Sequence, residues 1–346
     1  MGKTVFILGA GSNHEYGFPL GLDMLKNAVR DIKNTESVLY KLLLRLSDEL
    51  NINERFVKFG ESLQRSGLDS IDEFVFHNPI YEQIAKIVIS YYIIESEKKN
   101  VDLGDRALWY KFLWDQIYTR DFKDFPKKDI GIVTFNYDRS FEKYFYTLIS
   151  STYGYKNDFN DINIKKMIIE RLPIYHVYGK INNLPFENKE SNYKYGQEHI
   201  LLPMEIEDSN QQRVNHLLNP VKESINNIEL ILENRQTKNS RLEKIINLIR
   251  ESSKIVFLGF AFNDDNMKAL TFNKNVLDSR LPSGKVGFWY NYNGLDPTSQ
   301  QEYESIREFG IKLNKRDYGN ITDYLRNELI ILNQIKNTPK WYITLN

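Results

Sequence analysis

The stretch VFILGAGSNHEYG (residues 5–17) decides the fold, because it joins a short apolar run directly to a glycine-rich loop. Val5–Leu8 is apolar at every position, which is typical of a strand buried on both faces of a parallel sheet. After the loop, Leu22, Leu25 and Val29 recur at helical spacing. Strand, loop and helix in this order predict a parallel α/β unit.

Other apolar runs of the same kind recur along the chain. They are Ile130–Phe135, Ile174–Tyr178, Ile255–Leu258 and Val286–Tyr290. Glycine or short polar residues follow the first four predicted strands, and helical patterns follow three of them. We therefore predict an α/β fold with a doubly wound, Rossmann-like, mostly parallel sheet and large helical insertions.

The insertions are predicted from apolar spacing between the strands. Leu218, Val221 and Ile225 follow the alternating three- and four-residue spacing of a buried helix face. The predicted organisation is a nucleotide-binding core (1–34, 128–205 and 254–334), two helical insertions (35–127 and 206–253) and a C-terminal tail (335–346). Within the core, the polar, asparagine-rich stretch 181–197 predicts a mobile loop.

Composition narrows the possible functions. The chain has 346 residues, and its 46 basic and 46 acidic residues cancel, so we expect no direct nucleic-acid binding. It has no cysteine, which excludes disulfides, cysteine-ligated zinc and thiolate catalysis. The first apolar run is too short for a signal peptide, and no stretch is long enough to span a bilayer. We expect a cytoplasmic protein without a membrane segment.

The glycine loop is a candidate phosphate-binding element. Glycines let backbone amides approach a pyrophosphate, and the following helix adds a favourable dipole. The candidate residues are Gly9, Ala10, Gly11, Ser12 and Asn13. His14 stands where the dinucleotide fingerprint has its third glycine, and no Gly-Lys-Ser/Thr closes a Walker loop. The alternative is a tight strand-to-helix turn that binds nothing.

Asn136 and Asp138 follow the second predicted strand, so we expect them at the same sheet edge as the glycine loop. An amide such as Asn136 can orient a water molecule or a ribose hydroxyl, since it both donates and accepts hydrogen bonds. Asp138 can accept from sugar hydroxyls. Its alternative role is to cap the helix that carries Phe141 and Phe145.

His176 lies near the end of the third predicted strand. Side chains alternate along a strand, so His176 and Tyr178 are predicted to share a face. An imidazole suits a general base at neutral pH, but a lone histidine in a strand is more often a hydrogen-bonded core residue. His14, in the glycine loop, is a secondary candidate.

Taken together, these blocks resemble the sirtuin-like NAD-consuming family, in particular its branch from bacterial anti-phage defence systems. The matching segments are residues 6–12 with 17–19, 70–74, 134–138, 176–179, and 257–260 with 264–266. Their order agrees with the family. They cover the predicted core well and the helical insertions poorly.

The resemblance implies roles for particular residues. It implies that the glycine loop holds the NAD pyrophosphate and that Asn136, His176 and Asp138 act at the nicotinamide ribose. Other positions of the matching motifs are assigned to binding: Asn13, Pro19, Tyr178, Gly179 and Gly259. One departure is that sirtuin-type sequences usually have histidine immediately before the glycine, where this chain has Tyr178. The zinc module of protein-deacylating sirtuins is absent, since the chain has no cysteine.

The resemblance also implies a function. The expected activity is hydrolysis of the nicotinamide–ribose bond of NAD+, giving nicotinamide and ADP-ribose, as an effector that depletes NAD in antiviral defence by abortive infection. NAD+ is then a substrate, with no further cofactor and no metal. Gating by homo-oligomer assembly or by a separately encoded sensor or ATPase partner is expected. The alternatives are a non-catalytic NAD- or ADP-ribose-binding regulator and an ADP-ribosyl or acyl transferase.

Overall fold

Six strands form a single parallel sheet in the computed structural model of the protein. The structure describes residues 3–52, 55–100, 108–125, 130–153, 170–188, 194–197, 210–230, 240–270, 285–290, 311–314 and 320–328. The strands are β1 Lys3–Leu8, β2 Ile130–Thr134, β3 Ile174–His176, β4 Ser252–Leu258, β5 Lys285–Tyr290 and β6 Ile311–Asn314. Their spatial order is β3-β2-β1-β4-β5-β6. The chain is therefore a parallel-sheet α/β protein, as predicted.

The strand register aligns the carboxyl ends of the four strands from β3 to β4. Leu8 pairs with Thr134 on one side and with Leu258 on the other, and Thr134 pairs with His176. The loops that start at residues 9, 135, 177 and 259 consequently leave the sheet at one level. Since β1 lies between β2 and β4, the strand order reverses at β1, where the glycine loop begins.

Helices make up most of the described residues between the strands, and one more follows β6. They are α1 Gly21–Lys33, α2 Val38–Ser47, α3 Arg55–Arg65, α4 Ile71–His77, α5 Glu82–Lys99, α6 Leu108–Ile117, α7 Ser140–Tyr153, α8 Asn210–Asn227, α9 Ser240–Glu251, α10 Asp264–Leu270 and α11 Ile321–Glu328. At α4, local sequence explains where the helix starts. Ser70 caps α4 by accepting the amide of Glu73, and Asp72 and Glu73 lie in the first turn, where negative charge is favoured.

Helices from both predicted insertions pack against each other. α8, from the second insertion, contacts α2 and α5 from the first. α5 is almost entirely buried, which agrees with its low amphipathicity: apolar residues occur all around it. The two insertions thus contribute to a common helical layer, although they are separated in sequence by β2, α7 and β3. None of the helices in the described part of the chain is both long and apolar enough to span a membrane.

The structure corrects several details of the sequence prediction. β6 was not predicted, because Ile311–Asn314 alternates apolar and polar residues as an edge strand can. β4 begins at Ser252, inside the predicted insertion 206–253. In the predicted mobile loop 181–197, Ile181, Asn182 and Leu184 are buried, so this part is packed. The predicted tail 335–346 lies outside the described residues.

Candidate functional site

The glycine loop and the Asn-Tyr-Asp loop meet at the carboxyl edge of the sheet. The side-chain amide of Asn136 donates to the hydroxyl of Ser12 at 3.2 Å, across 124 residues of sequence. Asn136 is partly exposed, whereas its neighbours from Phe135 to Ser140 are buried. It is therefore the polar side chain that this loop offers to solvent or to a ligand.

Backbone hydrogen bonds already occupy most of the glycine loop. The amides of Gly9 and Gly11 donate to the carbonyls of Leu258 and Gly259, each at 3.0 Å. The amides of Ser12 and Asn13 donate back to the loop itself, to Gly9 at 2.9 Å and Ala10 at 3.2 Å. Ala10 is exposed at the start of this turn. In this conformation the loop offers a phosphate the exposed turn at Ala10 rather than a full ring of amides.

The glycines are explained by the close approach of two loops. A Cβ atom at Gly9 would lie 2.4 Å from the carbonyl oxygen of Gly259. Gly259 has φ of +58°, and a Cβ there would lie 2.0 Å from the amide nitrogen of Ser12. Side chains at either position are excluded by backbone atoms. The tight-turn interpretation of these glycines thus has a direct structural basis.

Asp138 belongs to a buried polar network. One carboxylate oxygen accepts the amide of Ser140 at 2.9 Å, and the other accepts the side-chain amide of Asn13 at 2.7 Å. Tyr110 donates its hydroxyl to Asn13 at 2.8 Å. Burial raises the pKa of Asp138, and the hydrogen bonds from Ser140 and Asn13 oppose that rise. Both oxygens accept hydrogen bonds and Asp138 is only 4% exposed, so the geometry supports its capping role.

His176 is held between two acceptors. Its Nδ1 lies 2.7 Å from the carbonyl oxygen of Asn136, and its Nε2 lies 2.6 Å from a carboxylate oxygen of Glu142. Lys180 Nζ contacts the same Glu142 oxygen at 3.0 Å. Burial by itself raises the pKa of Glu142, but Lys180 and His176 outweigh it and hold this pKa well below its usual range.

Glu142 is therefore ionised and accepts a hydrogen bond, as the carbonyl of Asn136 also does. Both ring nitrogens of His176 thus lie within hydrogen-bond distance of a protein oxygen. The general-base role of His176 stays a prediction. The contact with the Asn136 carbonyl makes His176 a support for the loop that carries the amide.

Tyr178 lies beyond the last residue of β3 and has other partners than His176. β3 ends at His176, so strand alternation does not continue to Tyr178. The hydroxyl of Tyr178 donates to the side-chain oxygen of Asn266 at 2.9 Å. Its ring packs edge-on against the ring of Phe135, with the ring centroids 5.5 Å apart. It thus crosses from the end of β3 towards the residues that follow β4.

The remaining predicted residues have simple surroundings. Gly179 has φ of +73°, and a Cβ there would lie 2.1 Å from the carbonyl oxygen of Asn227, so this position also requires glycine. Pro19 is partly exposed just before α1. His14 is partly exposed in a short 3-10 helix, His14–Tyr16.

Several residues that support the site were not predicted from sequence. Glu142 contacts His176 and is itself contacted by Lys180, and Trp109 donates its indole N–H to the carbonyl of Ser12 at 2.8 Å. Trp109 lies on α6, 97 residues from Ser12, and nothing in the local pattern links the two positions. In the described part of the chain, no three His, Asp or Glu side chains are grouped to hold a metal ion.

Comparison with known proteins found no family model that matches the chain, and no match among the curated proteins.

Proposed function

We propose that the protein binds a NAD-type dinucleotide at the carboxyl edge of its sheet and hydrolyses the nicotinamide–ribose bond. The observation that carries the proposal is the contact between Asn136 and Ser12, which joins the glycine loop to the Asn-Tyr-Asp loop. The strand order β3-β2-β1-β4-β5-β6 adds support, because doubly wound, Rossmann-like sheets of this order bind dinucleotides where the order reverses.

The proposed reaction needs little proton transfer. As the bond between C1′ and nicotinamide breaks, nicotinamide leaves as a neutral molecule and the ribose becomes oxocarbenium-like. Water then adds to C1′ and releases one proton to solvent. Asn136 orients the water or a ribose hydroxyl through its amide. His176, with Glu142 behind it, holds the main chain of Asn136. This assignment keeps Asn136 as the catalytic residue and makes His176 a positioning residue.

The cellular part of the proposal rests on the resemblance to the sirtuin-like defence family. It comprises NAD depletion during infection, location in the cytoplasm, and control by self-assembly or by a separately encoded sensor or ATPase partner.

The test is nicotinamide release from NAD+ by the purified full chain, alone and with co-expressed products of neighbouring genes. Asn136→Ala is expected to lower release about 100-fold, since misplacing a reacting group by about 1 Å can cost about 10²-fold. Asn226→Ala is the matched control, because the Asn226 side chain is exposed and donates to the carbonyl of Lys222 within its own helix, α8. Equal activity of wild type and Asn136→Ala would refute the assignment.

A binding regulator is the second candidate. Two observations favour it: the amides of Gly9, Gly11, Ser12 and Asn13 already donate to backbone carbonyls, and both ring nitrogens of His176 lie against protein oxygens. Saturable binding of NAD+ or ADP-ribose without nicotinamide release, in every assembly state, would select this function over hydrolysis.

A further inference from the structure

Asp72 links the helical layer to the loop that carries Asn136. It lies in the first turn of α4, inside the 70–74 block to which the proposed reaction assigns no role. Its carboxyl oxygen lies 3.0 Å from the hydroxyl of Tyr137. Tyr137 is the residue between Asn136 and Asp138, so α4 contacts the candidate catalytic loop directly.

Two oxygen atoms face the Tyr137 hydroxyl, so both contacts can be hydrogen bonds only if one further hydrogen is present. The Tyr137 hydroxyl lies 3.0 Å from Asp72 and 3.2 Å from the carbonyl oxygen of Glu229. A phenol has a single hydrogen, so it cannot satisfy two acceptors at once. If the carboxyl of Asp72 is neutral, it donates to Tyr137, and Tyr137 donates to Glu229.

The chain of contacts continues into the loop after β3. The amide of Glu229 donates to the carbonyl of Tyr178 at 2.8 Å, and Gly179 forms a β-bridge with Ile228. With Asp72 neutral, hydrogen bonds therefore connect α4, the Asn136 loop and the loop after β3. With Asp72 ionised, the carboxylate competes with Glu229 for the hydrogen of Tyr137.

Burial extends the pH range over which Asp72 is neutral. Burial raises the pKa of Asp72 to about 6, and the hydrogen bond with Tyr137 opposes the rise. The carboxylate of Glu229 pairs with Arg241, with Oε2 and Nη2 2.7 Å apart. Glu73 follows Asp72 on the same helix and donates its amide to Ser70.

We propose that Asp72 is a positioning residue for the Asn136 loop. Its neutral carboxyl donates to the Tyr137 hydroxyl, which donates in turn to the carbonyl of Glu229. We call this chain of three groups the Asp72 latch. It is closed when Asp72 is neutral and opens when Asp72 is ionised. Its effect on catalysis rests on the proposed function, but its existence does not.

Amide hydrogen exchange at pH 7.5 tests the latch without reference to activity. Asp72→Asn mimics the neutral carboxyl, so exchange in the segment around Glu229 is expected to slow at least about threefold relative to wild type. The matched control is Asp23→Asn, at an exposed position in the first turn of α1. Adding Tyr137→Phe to Asp72→Asn is expected to abolish the slowing. Unchanged or faster exchange in Asp72→Asn overturns the latch.

The pH profile of nicotinamide release tests the positioning role. In wild type, kcat/KM is expected to fall as the pH rises through about 6, while Asp72→Asn keeps its low-pH value up to pH 8. Slowed exchange combined with parallel profiles for the two proteins would overturn the positioning role and leave the proposed hydrolysis intact. Absence of turnover in all variants would remove the proposed hydrolysis, while the exchange data still decide the latch.

Discussion

Replacing Glu97 by glutamine is expected to destabilise the protein strongly. Glu97, near the end of α5, pairs with Arg139, the residue before α7, with Nη2 and Oε2 2.6 Å apart. Only 1% of the Glu97 side chain and 3% of the Arg139 side chain are exposed. The same carboxylate also accepts the Arg139 main-chain amide at 2.9 Å. The pair therefore fixes the helical layer to the loop next to Asp138.

The magnitude follows from what glutamine leaves behind. Glu97→Gln keeps the volume but removes the charge that compensates a buried guanidinium, and removing one partner of a buried pair costs about 3–5 kcal/mol. Burial by itself lowers the pKa of Arg139, but Glu97 outweighs it, so the arginine stays charged when its partner is intact. The free energy of unfolding should consequently fall by about 3–5 kcal/mol.

The assay is equilibrium unfolding in urea, followed by circular dichroism and by tryptophan fluorescence to check that both probes report one transition. Asp115→Asn is the control. It breaks the Lys111–Asp115 pair on α6, whose side chains are 56% and 49% exposed, and should change stability by less than about 1 kcal/mol. If both substitutions cost the same, or if Glu97→Gln costs less than about 1 kcal/mol, burial of the Arg139 pair does not determine its contribution.

Three further substitutions test other parts of the structure. Gly259→Ala should prevent the close contact with Ser12 and lower the free energy of unfolding by several kcal/mol. Each kcal/mol lowers the melting temperature by about 2–4 °C, so we expect either no soluble protein or a melting temperature more than about 10 °C lower. Glu142→Gln should lower stability by about 3 kcal/mol at pH 7. Because the folded-state pKa of Glu142 lies below its usual 4.5, this deficit should shrink as the pH falls below 4.5, and a deficit independent of pH would contradict the pairing with His176. Asp72→Asn should stabilise the protein above pH 6 but not at pH 4, because a folded-state pKa near 6, against the usual 3.8, makes wild type lose stability as the pH rises. The expected gain in the free energy of unfolding is about 1–3 kcal/mol, to be measured by urea unfolding at both pH values. The upper value corresponds to the full pKa shift, and the lower value allows for the partial exposure of Asp72.

Much of the architecture was predictable from local sequence. Continuous apolar runs identified five of the six strands, because a strand covered on both faces needs apolar residues at consecutive positions. β6, at the edge of the sheet, was not predicted, because apolar and polar residues alternate in its sequence. Parallel pairing also made it predictable that the loops after β1 and β2 share one edge, and the contact between Ser12 and Asn136 lies there.

The sequence by itself determined which residues reach the carboxyl edge of the sheet, since strand period and direction are local properties of the chain. Only the tertiary structure decided what those residues do there. His176 meets Glu142 across 34 residues, and Asn13 meets Asp138 across 125. A hydrogen-bonding group takes its role from the partner that faces it, and these partners come from distant parts of the chain, whose placement no local pattern encodes. For that reason the positions of Asn136 and His176 could be predicted, whereas the partners of His176 could not.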